Sequence, residues 1–191
     1  EGVEKDFDVL IQNGKISAIG KITAYPSDAT VMDATGLHLT PGIIDEHSHI
    51  AISGGVNESG QAVSAEVSIA DVINSDNIHI YRQLAGGVTS AQLLHGSANP
   101  IGGQSGLIKF RWGSTPEEMK IKTKDGFIKF ALGENVKQSN WGDKFTVRYP
   151  QTRMGVEQVF YDSFFRAKAY LEAWEVYHSL SKKEKAKATK P

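Results

Sequence analysis

Over the first forty positions, short apolar runs alternate with turn residues. Phe7-Asp8-Val9-Leu10-Ile11 reads as a strand, and Asn13-Gly14 is a strong two-residue hairpin signal. Ile16-Ser17-Ala18-Ile19 alternates behind it, and a further short strand is expected over 29–33. Leu37-His38-Leu39 then leads into Pro41-Gly42. The pattern predicts at least three strands over residues 1–40, too small a structure to bury a core alone.

From Gly42 onward the period changes, and strands alternate with helices, as in parallel βα units. An apolar strand is expected over 43–52, then a helix capped by Ser75 or Asp76 and stopped by Gly86-Gly87. Further strands follow at 88–94, 107–112 and 127–132. Gly102-Gly103-Gln104-Ser105-Gly106 reads as a loop, and Pro116-Glu117-Glu118 as one helical turn. Val156, Phe160, Phe164, Ala167, Leu171, Trp174 and His178 recur at steps of three and four. They form the apolar stripe of one long helix. The Lys-rich stretch 181–191 has no stripe and reads as a fraying end or linker.

Composition narrows the class. The 191 residues carry 21 Lys+Arg against 22 Asp+Glu, a net charge of −1, with 40% hydrophobic and 23% charged residues. That is the profile of an ordinary globular chain. It supplies no overall field for nucleic acid or an anionic membrane. The absence of cysteine removes disulfides, thiolate metal sites and a cysteine nucleophile. The acidic opening 1–8 does not read as a signal peptide and looks like the interior of a longer protein. The compartment stays undetermined.

The chemistry concentrates in Pro41-Gly42-Ile43-Ile44-Asp45-Glu46-His47-Ser48-His49. On a strand, Asp45, His47 and His49 share one face. Two imidazoles at i and i+2 can both reach one metal ion at about 2.0–2.1 Å, the usual zinc–nitrogen distance. This stretch resembles the metal-binding first strand of the amidohydrolase superfamily, Pro-Gly-x-Ile-Asp-x-His-x-His. Asp8 to Ile16 resembles the opening of the small β-sandwich beside the barrel in those enzymes. Gly86-Gly87-Val88-Thr89-Ser90 is similar to the second barrel strand of the imidazolonepropionase-like and prolidase-like branch. The resemblance runs over about residues 6–135.

It implies an α/β fold. Strands of a small β-sandwich would occupy 1–40, and the first units of a TIM-like (β/α)8 barrel, incomplete in this chain, would occupy 41–191. It also implies a divalent metal, zinc as one or two ions, held by His47, His49 and a bridging ligand. Within Phe127-Ile128-Lys129-Phe130-Ala131-Leu132-Gly133-Glu134, Lys129 is the first candidate for the bridge, as a carboxylated lysine. Glu134 is the alternative, with Lys137 behind it. Desolvation in an apolar strand favours the neutral amine that takes up carbon dioxide. A barrel of about 250 residues has ~31 per unit, so the 82 residues from His47 to Lys129 span nearly three units. The competing reading packs the lysine stem in the strand and leaves its head in solvent.

Four other histidines remain. His38, His79 and His178 read as structural, whereas His95 ends the second strand and is a substrate-pocket candidate together with Gln104. The family's later metal histidines and its strand-eight aspartate have no counterpart here, so the general base is expected outside this chain. The implied activity is hydrolysis of an amide, peptide or cyclic amide C–N bond by metal-activated water. The substrate is a small molecule or peptide, without nucleic acid or membrane partners. The fragment alone is expected to be inactive. Homo-oligomerisation, or pairing with the remainder of the barrel, would cover its open edges. The alternative is a non-catalytic structural or interaction module on the same fold.

Overall fold

The computed structural model describes residues 2–3, 5–123, 126–142, 144 and 148–191, divided into two compact units at 1–40 and 41–191. In the first unit, strands β1 (Asp8–Gln12) and β2 (Lys15–Gly20) form an antiparallel hairpin. Its turn places Asn13 at φ 52° and Gly14 at φ 71°, both in the left-handed region that a tight hairpin of this hand requires. The strand expected over 29–33 does not form. Asp33 instead accepts hydrogen bonds from the Thr35 amide at 2.9 Å and the Thr35 hydroxyl at 2.7 Å. That local turn competes with an extended backbone.

The second unit opens with β3 (Ile43–Ser48), which crosses through α1 (Ile78–Ala85) to the parallel neighbour β4 (Val88–Leu93). Gly42 precedes β3 because a Cβ there would lie 2.2 Å from the Thr89 hydroxyl. The α1 cap is Asn77, which accepts from the His79 amide, and not Ser75 or Asp76. Gly86 closes the helix as expected, with Gly87 at φ 88°. β3 is also shorter than the expected 43–52. The chain turns at Ala51, whose φ of 55° is unusual for a residue with a Cβ.

Beyond β4 the parallel pattern stops. β6 (Gly106–Lys109) pairs antiparallel with β4, completing a sheet of order β3-β4-β6. Only twelve residues join β4 to β6, and no helix lies among them to make a parallel crossover. Within that connection, the expected glycine loop is a strand, β5 (Ile101–Gln104), paired antiparallel with β7 (Ile128–Phe130). Glycine occurs there through crowding: a Cβ on Gly103 would stand 2.8 Å from Val67 and 3.0 Å from the His95 ring. The architecture is mixed α/β, with one βαβ unit among the described residues.

The core lies between the sheet and α1. Ile80, Leu93, Ile108 and Met119 are fully buried beside Ile69, Ile73, Ala91 and Phe110. Each such side chain contributes about 1.5–3 kcal/mol. Helix α2 (Pro116–Met119) delivers Met119 through a capping box between Thr115 and Glu118. A second, smaller cluster joins Ala131, Val136 and Val156, with Phe160 against it.

The long helix forms as α3 (Arg153–Ser179), capped by Thr152, and is followed by one turn, α4 (Lys182–Lys185). Its stripe is not a core face along its length. Val156 is buried and Phe130 stacks on Phe160 and Phe164, but Phe164 is 60% and Leu171 62% exposed. No helix among the described residues is long and apolar enough to cross a membrane.

Candidate metal centre

The end of β3 is fastened to a single residue, Leu94, just beyond the neighbouring strand β4. The Leu94 amide donates to the Ser48 carbonyl at 2.9 Å, and the His49 Nδ1 donates to the Leu94 carbonyl at 2.8 Å. A carbonyl only accepts, so the His49 proton resides on Nδ1 and its Nε2 keeps a lone pair. Histidine metal ligands are commonly oriented in this way. Ser48 is buried while the flanking His47 and His49 are exposed, as strand alternation requires. The two rings meet edge to face at a centroid distance of 5.2 Å. The Asp45 carboxylate bends back onto its own strand, accepting from the His47 amide at 3.1 Å.

Strand β7 brings Lys129 to this pair. Its Nζ lies 3.3 Å from His47 Nε2, and desolvation lowers the proton affinity of the amine. A less basic amine can carry a carbamate, whose two oxygens would be anionic donors. Glu134, the alternative bridge, spends its carboxylate elsewhere. It pairs with Lys137 at 2.5 Å and Arg153 at 3.5 Å, and it accepts from Asn140 at 3.3 Å. Hydrogen bonds from Lys137 and Asn140 hold it below the usual carboxylate range, and the same pair occupies Lys137.

His95, at the end of β4, is 2% exposed. Burial pushes its pKa down, against the Gly96 carbonyl and the Glu58 carboxylate, which raise it; Lys129 and His49 lower it further. Gln104 is part of the scaffold: its side-chain amide donates to the Ala65 carbonyl at 3.0 Å and its backbone amide to Val67 at 2.7 Å. His79 sits at the start of α1, His178 packs on Trp174 with ring centroids 5.1 Å apart, and His38 is exposed in the 1–40 unit.

Sequence reading missed Asn99 beside this site, and it reached Arg148 only as part of the strip 148–153, taken as a border of the active site. Asn99 is fully buried and bridges Glu58 and Ser64, and Arg148 donates to three backbone carbonyls and to Asn99. Their only signal was polarity within turn-rich stretches. Among the described residues, no group of three His, Cys, Asp or Glu side chains could hold a metal. The available donors are two imidazoles and a desolvated lysine. They fit a divalent ion such as zinc if the lysine supplies the anionic oxygens.

No family model matches the chain. It is 33% identical over 180 residues to the amidohydrolase tasK of Hapsidospora irregularis, an alignment taking in 84% of this chain and 18% of that protein. It is 44% identical over 54 residues to the dihydroorotase of Geobacter sulfurreducens, 28% of this chain and 13% of that protein. The crystal structure of an amidohydrolase from Thermotoga maritima MSB8 superposes with a TM-score of 0.78 at 38% identity, over 89% of this chain and 45% of that one. The chain thus spans less than half the length of each of these relatives.

Proposed function

We infer the activity from the premise that this chain belongs to the amidohydrolase superfamily: it contributes a metal-dependent site for hydrolysing a C–N bond of an amide, peptide or cyclic amide. The observation that carries this reading is the meeting of Lys129 Nζ with His47 Nε2 at 3.3 Å, next to His49. His47, His49 and carboxylated Lys129 would hold the ion. Bound there, zinc would acidify a water and polarise the substrate carbonyl.

The chain's own residues prepare the site. The Leu94 carbonyl fixes the His49 tautomer and turns its Nε2 lone pair outward. The strand pair β5–β7 holds the Lys129 backbone, and partial burial lowers the proton affinity of its amine. The parallel register of β3 on β4 places both histidines at the carboxyl ends of the strands, where α/β enzymes build their sites. The reading extends to a barrel wall completed outside these residues, or by a second copy of the chain.

Metal content tests the proposal. Elemental analysis of the purified chain after zinc loading and desalting should show bound zinc. The double substitution His47→Ala and His49→Ala should remove it, and unchanged stoichiometry would overturn the assignment.

A further inference from the structure

The two ring nitrogens of His95 face different partners. The Glu58 backbone N–H donates to Nε2 at 2.8 Å, so that nitrogen holds a lone pair. The ring proton therefore resides on Nδ1, which faces the Gly96 carbonyl at 3.4 Å. From the other side, buried Asn99 donates to the Glu58 carbonyl at 2.5 Å and to the Ser64 hydroxyl at 2.6 Å. Asn99 Oδ1 accepts in turn from Arg148 Nη1 at 2.7 Å. The same guanidinium donates to the carbonyls of Ser59 at 2.6 Å, Gln61 at 2.7 Å and Ala98 at 2.8 Å.

The loop 57–61 has no regular secondary structure, yet its peptides are bracketed by three side chains from other segments. A loop left to itself would be mobile, because ordering each residue costs about 1–2 kcal/mol of backbone entropy. The bracketed loop presents Asn57 to a polar cleft of about 280 Å³, shared with Ser97, Ala98 and Trp141. The His95 ring that anchors it rests on β5, where a Cβ on Gly103 would stand 2.8 Å from Val67 and one on Gly102 would press on the ring at 3.3 Å.

We propose that His95 is a positioning residue of the amide-hydrolysing site. As a neutral acceptor through Nε2 it fixes the 57–61 loop, and with it the Asn57 wall of the cleft, beside the strand end that anchors His49. The proposal rests on the preceding reading for what the cleft serves; the tautomer and the loop clamp stand independently of it. It also separates His95 from the metal ligands, since its Nε2 lone pair is already taken by a peptide N–H.

Histidine-labelled protein decides the tautomer by nitrogen NMR: His95 should show Nδ1 protonated and Nε2 unprotonated. A protonated Nε2 would overturn the proposal, and this measurement needs no variant to fold. Hydrogen exchange of the Glu58 amide gives the second readout. His95→Leu should accelerate it on the order of tenfold through loss of one hydrogen bond. His95→Gln, which keeps an acceptor, should restore protection, and unchanged exchange in His95→Leu would count against the clamp. Zinc titration distinguishes the two readings. A folded His95→Gln protein should still bind zinc, whereas the His47→Ala, His49→Ala protein should not bind it. Loss of zinc in His95→Gln would make His95 a ligand and overturn its positioning role.

Discussion

Lys129 Nζ approaches His47 Nε2 to 3.3 Å although 82 residues separate them in sequence. The two stand in different sheets, β3-β4-β6 and β5-β7, which approach each other where the His95 ring packs on Gly102 and Gly103. If the amine carries the anionic bridge, Lys129→Ala should weaken zinc binding by at least about tenfold, by analogy with the loss of supporting groups around metal sites. Lys129→Glu, which restores an anionic oxygen, should recover part of it. Competition against a chelating dye measures both. Equal affinity in Lys129→Ala and the parent would remove Lys129 from the ligand set.

Carbamate formation can be observed directly. With carbon-13-labelled bicarbonate and zinc, the parent should show a carbonyl resonance in the carbamate range, and Lys129→Ala should lack it. A signal that persists in the variant would place the carbamate on another lysine.

The lowered His95 pKa fixes the sign of a pH effect. The unfolded ring titrates near pH 6.5, and the folded ring resists protonation because burial disfavours its charge. Between those two values the unfolded chain binds more protons, so stability rises with pH there. The contribution should be complete above about pH 6.5 and fade as pH falls below it. Melting temperatures at pH 7.5 and 5.5 should show the decline, and His95→Gln should flatten it.

The glycine strand predicts a contrast between two alanines. Gly103→Ala puts a Cβ 2.8 Å from the Val67 side chain and backbone, a clash in a packed region. It should cost about 1–3 kcal/mol. Gly55→Ala meets nothing within 4 Å at an unstrained φ and should stay within about 0.5 kcal/mol. Chemical denaturation of the two variants provides the comparison.

Helix α3 carries Phe165 at 66% and Leu171 at 62% exposure. Exposed apolar side chains at this density drive association. Light scattering should find the parent larger than a monomer, and Phe165→Glu with Leu171→Glu should shift it toward the monomer without loss of stability beyond about 0.5 kcal/mol. A parent that is monodisperse and monomeric would refute this.

Much of this arrangement was legible because local chemistry dictated it. Asn13-Gly14 could serve little but a tight hairpin, Gly86-Gly87 ended a helix, and the spacing of His47 and His49 on a strand opened by Pro-Gly set two imidazoles together. Lys129 stood out as a charged residue inside an apolar strand. What escaped was determined by distant neighbours. Gly102 and Gly103 look identical whether they free a loop or admit a crowded ring. The antiparallel turn of β6 depends on the lack of a crossover helix, which no single residue announces. Asn99 carries no periodicity, and its clamp with Arg148 exists only once 57–61 folds against 95–99. The stripe on α3 gave the helix correctly but could not say which of its turns would find a partner.

Ser48, the last residue of β3, and His49, which follows it, are both tied to Leu94, one through its amide and the other through its carbonyl. Displacement of Leu94 therefore reaches the Ser48 backbone and the His49 imidazole at once. Substitutions in α1 or the core that displace Leu94 will strain both ties. Damage to the metal site from such changes should thus follow the displacement of Leu94, although none of the substituted residues touches a histidine of the pair.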